Sequence, residues 1–134
     1  PDIRKINFVP FGEMVIINGK PDFSEVIMNA VIFLPFGIYL SALFPDMRFR
    51  KKFLIFAGVS LAYEVCQYIF SIGTSDITDL MLNCLGGCAG VLVFRILCFI
   101  ADSRRKATVF VTAAAAVCTV IMAALLAVLV VFNL

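Results

Sequence analysis

Between Ala107 and Phe132 the chain carries no charged side chain and no side-chain amide, and its only hydroxyls belong to Thr108, Thr112 and Thr119. A helix needs about 20 apolar residues to cross roughly 30 Å of hydrocarbon at a rise of about 1.5 Å per residue. This stretch exceeds that length and can cross with some tilt. The remaining sequence agrees with a lipid solvent. Apolar residues make up 63% of the 134 and charged residues 15%, against about 45–50% and about 25% in a soluble domain. Too little polar surface is left to face water on all sides.

Three more apolar segments precede this one. The first covers about 24–44, with Ser24 as N-cap, Pro45 as a stop, and Pro35 and Gly37 predicting a kink inside it. The second covers about 53–70, the third about 76–101, and the fourth about 107–132. Short connections at 45–52, 71–75 and 102–106 make consecutive helices antiparallel neighbours. The expected fold is all-α, a multi-pass transmembrane helical bundle with four spans, forming one domain over 1–134. Residues 1–23 mix Asp2, Arg4, Lys5, Glu13, Lys20 and Asp22 with the helix breakers Pro10, Gly12, Gly19 and Pro21. That segment reads as interfacial. The chain opens at Pro1 rather than Met, which predicts a longer protein with a further N-terminal span.

Loop charge supplies an orientation. Arg48, Arg50, Lys51 and Lys52 fall in the 45–52 connection and Arg104, Arg105 and Lys106 in the 102–106 connection, whereas 71–75 has no basic residue. Short basic loops stay cytoplasmic. The 71–75 loop and residues 1–23 are then extracytoplasmic. The net charge of +2 and the lack of a basic stripe with interleaved aromatics exclude a nucleic-acid partner. The absence of His excludes His-based catalysis and His-ligated metal. Cys66, Cys84, Cys88, Cys98 and Cys118 all sit in apolar stretches and read as small hydrophobes.

Amide and charged side chains inside spans are costly and mark function by default. The outer halves of the spans hold Asn29, Glu64, Gln67, Asp79 and Asn83, with Asp76 at the start of the third helix. Ser60, Glu64 and Gln67 share one helical face at i, i+4, i+7, and Asp76, Asp79 and Asn83 share another at i, i+3, i+7. Folding the hairpin about Gly73 brings Gln67 level with Asp79, and Glu64 level with Leu82 and Asn83. Gly86 and Gly90 form a GxxxG pair that lets helix backbones approach closely. It is expected to set the spacing at which Glu64 meets Asn83. Structural roles account for part of the set: Asp76 and Asp79 suit the N-cap and N3 of a helix. Glu64, Gln67 and Asn83 suit interhelical hydrogen bonds of roughly 0.6 kcal/mol each.

The ordered elements Asn7-Phe8-Val9-Pro10-Phe11, Asn29 with Leu34-Pro35-Phe36-Gly37, Glu64 with Gln67, and Asp76-Ile77-Thr78-Asp79 with Asn83, Gly86-Gly87 and Gly90 resemble the VanZ-like family of bacterial membrane proteins. The resemblance covers roughly residues 6–90. Two departures stand out: the Arg that the family often carries before the third-span Asp motif is missing from Ser71–Ser75, and so is the span that usually precedes Asn-x-x-Pro-Phe. The resemblance implies a multi-pass protein of the bacterial cell membrane. It also implies a link, through the best-known member, to low-level resistance to the glycopeptide teicoplanin.

Three functions remain open on the residues. In the first, an outward-facing polar pocket of Asn29, Glu64, Gln67, Asp76, Asp79 and Asn83 binds a lipid-linked cell-wall precursor or a lipoglycopeptide. In the second, an integral-membrane enzyme acts on a polyprenyl- or phospholipid-linked head group, with Glu64, Asp76 and Asp79 holding a divalent cation or serving as acid and base. The third is a helper subunit or ion-coupled transporter. No cofactor is specified by any motif. Without a basic residue in the outer halves of these spans, Glu64 and Asp79 are expected to need a shared proton, a cation or a ligand's amine between them.

Overall fold

The computed structural model describes residues 6–7, 16–17, 20–21, 24–70 and 75–133, with side chains over 27–70 and 76–132. Phe8 to Phe11 and the centre of the 71–75 loop lie outside the described residues. The chain divides into two compact units, residues 1–93 and 94–134.

The fold is all-α. Helix α1 covers Ser24–Leu43, α2 Phe49–Phe70, α3 Ile77–Ile100 and α4 Arg104–Asn133. Among the described residues, α2, α3 and α4 are long and apolar enough to cross a membrane, and α1 carries a shorter apolar stretch over Ile27–Leu43. That stretch has 17 residues, or about 25 Å of helix at 1.5 Å per residue. Two-residue strands complete the list. β1 (Ile6–Asn7) runs parallel to β4 (Ser75–Asp76), and β2 (Ile16–Ile17) is antiparallel to β3 (Lys20–Pro21). The first pairing ties the Asn7 end of the N-terminal segment to the entry of α3.

In the first unit α1, α2 and the first part of α3 pack against one another. Small residues make this packing close. A Cβ placed on Gly86 or Gly90 would collide with the carbonyl oxygens of Ala30 and Leu34, and one on Gly37 with the carbonyl of Gly87. Backbone therefore meets backbone between α1 and α3. Lipid tails are as apolar as Leu, so van der Waals contact of this kind holds membrane helices together. Gly87 serves α2 instead: its absent Cβ leaves room for the Phe56 ring, which would come within 2.7 Å. Phe56 is fully buried and meets Phe36 of α1 edge-on, with ring centroids 5.5 Å apart. Leu40, Cys84 and Val91 complete this apolar centre.

Two sequence expectations change here. The GxxxG pair packs α3 onto α1, so it does not set the α2–α3 distance. The start of α2 lies at Phe49, four residues earlier than expected, because a helix of this composition continues through Arg50, Lys51 and Lys52. Lys52, expected in a basic loop, is inside the helix and buried. Helix α1 runs through Pro35 without ending there.

The second unit holds the end of α3 and all of α4. Asp102, between them, adopts a left-handed conformation with φ of 50°, which Asp tolerates better than most residues and which ends a helix. Phe94, Ala107 and Val111 are buried, and the remaining large apolar side chains of α4 are exposed. Two of its threonine hydroxyls are satisfied within the helix, Thr112 donating to the Thr108 carbonyl at 2.9 Å and Thr119 to that of Ala115 at 2.8 Å. A helix surrounded by hydrocarbon requires such internal pairing.

Candidate functional site

One face of α2 is buried at four successive turns: Lys52, Phe56, Ser60 and Glu64. The i, i+4 spacing puts them in a row, and three of the four are polar. Each of those three has a partner on another element. Asn83 of α3 donates its amide to Ser60 Oγ at 2.9 Å. The backbone N–H of Asp76 donates to Glu64 Oε2 at 3.1 Å. Lys52 Nζ donates to Ser41 Oγ of α1 at 3.2 Å.

The Glu64 contact helps a buried carboxylate to be tolerated. It sits at the opening of α3, where unsatisfied N–H groups and the positive end of the helix dipole favour an anion. Asp76 is the N-cap of that helix, its Oδ1 accepting from the Thr78 N–H at 2.8 Å. Three residues on, Asp79 accepts a short 2.5 Å hydrogen bond from the Asn29 amide of α1. Every carboxylate of the cluster thus has a protein donor. Among the described residues no group of three Cys, Asp or Glu side chains is placed to hold a metal ion.

The expected pairing across the hairpin is displaced by about one helical turn. Asn83 lies against Ser60 rather than Glu64, Glu64 lies against the first residue of the α3 cap, and Asp79 faces α1 rather than Gln67. Gln67 is half-buried, and its side-chain oxygen is buried with no hydrogen-bond partner among the described residues. Lys52 and Ser41 were absent from the sequence-derived set. Extending the Ser60–Glu64 row back by two turns would have reached Lys52, but its place in a basic run concealed it.

Long apolar helices packed through glycine, with amides and carboxylates paired between them, define a multi-helix integral membrane protein with an intramembrane polar cluster. The chain belongs to the VanZ/LLP1 family, whose model matches residues 1–100. It is 37% identical over 91 residues to Protein VanZ of Enterococcus faecium, an alignment covering 68% of this chain and 53% of that protein. The chain therefore spans about half the length of that relative. No solved structure matches it.

Proposed function

We propose that the polar cluster of α1, α2 and α3 is an extracytoplasmic recognition site for the head group of an amphiphilic, acyl-bearing or lipid-linked ligand. On this reading the protein acts in the bacterial envelope as VanZ-like proteins do, in glycopeptide resistance of the teicoplanin type. Gln67 carries the proposal. Asn29, Ser60, Glu64, Asp76, Asp79 and Asn83 have protein partners, whereas the Gln67 side-chain oxygen is shielded from solvent with no partner among the described residues. Such an atom costs about 1–3 kcal/mol if it stays unpaired. A ligand hydroxyl or amide entering from the membrane surface would supply the missing donor, while its acyl chain stays in lipid beside α1 and α2.

The test is susceptibility of a glycopeptide-sensitive Gram-positive host expressing the full chain. Teicoplanin is compared with a glycopeptide that lacks an acyl chain. The expected result is protection against the acylated compound alone, abolished by Gln67→Leu and by Glu64→Gln at equal membrane abundance. Unchanged susceptibility on expression, or full protection by both variants, overturns the reading.

A further inference from the structure

Helices α2 and α4 begin in a way that contradicts ordinary helix electrostatics. The first turn of a helix favours acids, because its free N–H groups carry partial positive charge. Neither α2 nor α4 has an acid in its first turn. Instead α2 opens Phe-Arg-Lys-Lys and α4 opens Arg-Arg-Lys. Arg50 and Lys51 are exposed, as are Arg105 and Lys106, and none of these four has an ion pair or a side-chain hydrogen bond among the described residues. Cations are thus added to the positive end of each dipole, at the ends of helices long enough to span a membrane.

Each start also carries a shallow, open groove along a single helix. That on α2, about 520 Å3, is lined by Phe49, Arg50, Phe53 and Leu54. That on α4, about 590 Å3, is lined by Ser103, Arg105, Lys106, Val109 and Phe110. Both join one or two basic side chains to an apolar wall one turn further along the helix. The combination of anion-seeking head and greasy flank matches one chemistry at a membrane surface.

We propose that each groove seats an anionic phospholipid. Its phosphate rests on Arg50 in the α2 groove and on Arg105 and Lys106 in the α4 groove, and the upper part of its acyl chains lies along Phe53 and Leu54, or along Val109 and Phe110. The planar guanidinium grips phosphate through two parallel hydrogen bonds. The phosphate also compensates the adverse dipole. A zwitterionic lipid offers the same phosphate, but its quaternary ammonium is repelled by the neighbouring Lys51 or Lys106. An anionic surface favours each nearby basic side chain by about fivefold in affinity.

The experiment equilibrates the purified full chain in detergent with equal amounts of phosphatidylglycerol and phosphatidylcholine, and native mass spectrometry counts the lipids retained. Phosphatidylglycerol is expected to be retained about fivefold or more over phosphatidylcholine, with two tight molecules per chain. Arg50→Ala/Lys51→Ala should remove one, Arg105→Ala/Lys106→Ala the other, and the fourfold variant both. All four side chains are exposed, and unchanged helical circular dichroism verifies that each variant is folded. Equal retention of the two lipids, or an unchanged phosphatidylglycerol count in the fourfold variant, overturns the proposal. So does displacement of phosphatidylglycerol by millimolar inorganic phosphate, which would assign the basic residues to a free anion.

Discussion

Asn83 of α3 donates its side-chain amide to Ser60 Oγ of α2 at 2.9 Å, and both side chains are shut away from solvent. The bond lies one turn along α2 from Glu64 and joins the two helices below the α3 cap. Ser60→Ala would leave the amide short of an acceptor in a dry site. We expect Ser60→Ala and Asn83→Ala each to lower stability by about 1–2 kcal/mol. A double-mutant cycle should give a coupling of about 0.6–1.7 kcal/mol, the range for membrane hydrogen bonds. Denaturation of the detergent-solubilised protein measures it, and strict additivity would mean that the two groups do not interact.

Gly90→Ala and Gly58→Ala are the same chemical change with opposite expectations. At Gly90 the new methyl would meet the Leu34 carbonyl, whereas at Gly58 no atom beyond the local backbone of its own helix and its two chain neighbours lies within 4 Å. A methyl forced into backbone must push α1 away from α3, and we expect loss of about 2 kcal/mol or more. At Gly58, inside α2, alanine should stabilise by up to about 1 kcal/mol through helix propensity. Thermal melts of both variants decide this, and similar melting temperatures would contradict the glycine packing of α1 on α3.

The Lys52–Ser41 contact predicts a dependence between distant positions. Removing the Ser41 hydroxyl deprives a buried ammonium of an acceptor, which should cost about 1–3 kcal/mol. Combining Ser41→Ala with Lys52→Met removes the need for that acceptor. The hydroxyl deletion should then cost less in the Lys52→Met background than in the wild type, as read from melting or urea midpoints.

Asp79 tests charge against geometry. Its carboxylate accepts from the Asn29 amide, an acceptor role that Asp79→Asn retains through its carbonyl. Asp79→Asn is expected to weaken the α1–α3 contact by about 1 kcal/mol, and Asp79→Ala by about twice as much. Equal stability for the two variants would show that the acceptor is not used.

The orientation proposed from loop charge has its own test. In a chain freed of its five native cysteines, a single cysteine at Ser71 should react with an impermeant maleimide on intact cells, and one at Arg48 should not. The reverse pattern would place the polar cluster at the cytoplasmic surface and remove the basis for ligand capture from outside.

Membrane residence follows from the sequence alone, because an uncharged run such as Ala107–Phe132 satisfies its backbone within its own helix and needs no partner to justify its place in lipid. The inventory of costly polar residues was equally legible: Asn29, Glu64, Gln67, Asp79 and Asn83 interrupt apolar segments and are conspicuous in one dimension. Their partners were not. A difference of about two residues in where a hairpin reverses shifts the pairing by three or four residues, about 5 Å, enough to exchange Glu64 for Ser60 opposite Asn83. Helical periodicity fixes which residues share a face but not which neighbour that face meets, so Asp79 and the Gly86–Gly90 pair turned to α1 rather than α2. The same limit concealed Lys52, whose burial beside Ser41 depends on the approach of two helices rather than on its own place in a basic run. Faces and solvent are local properties of a chain, whereas register and partnership arise only when the helices are packed.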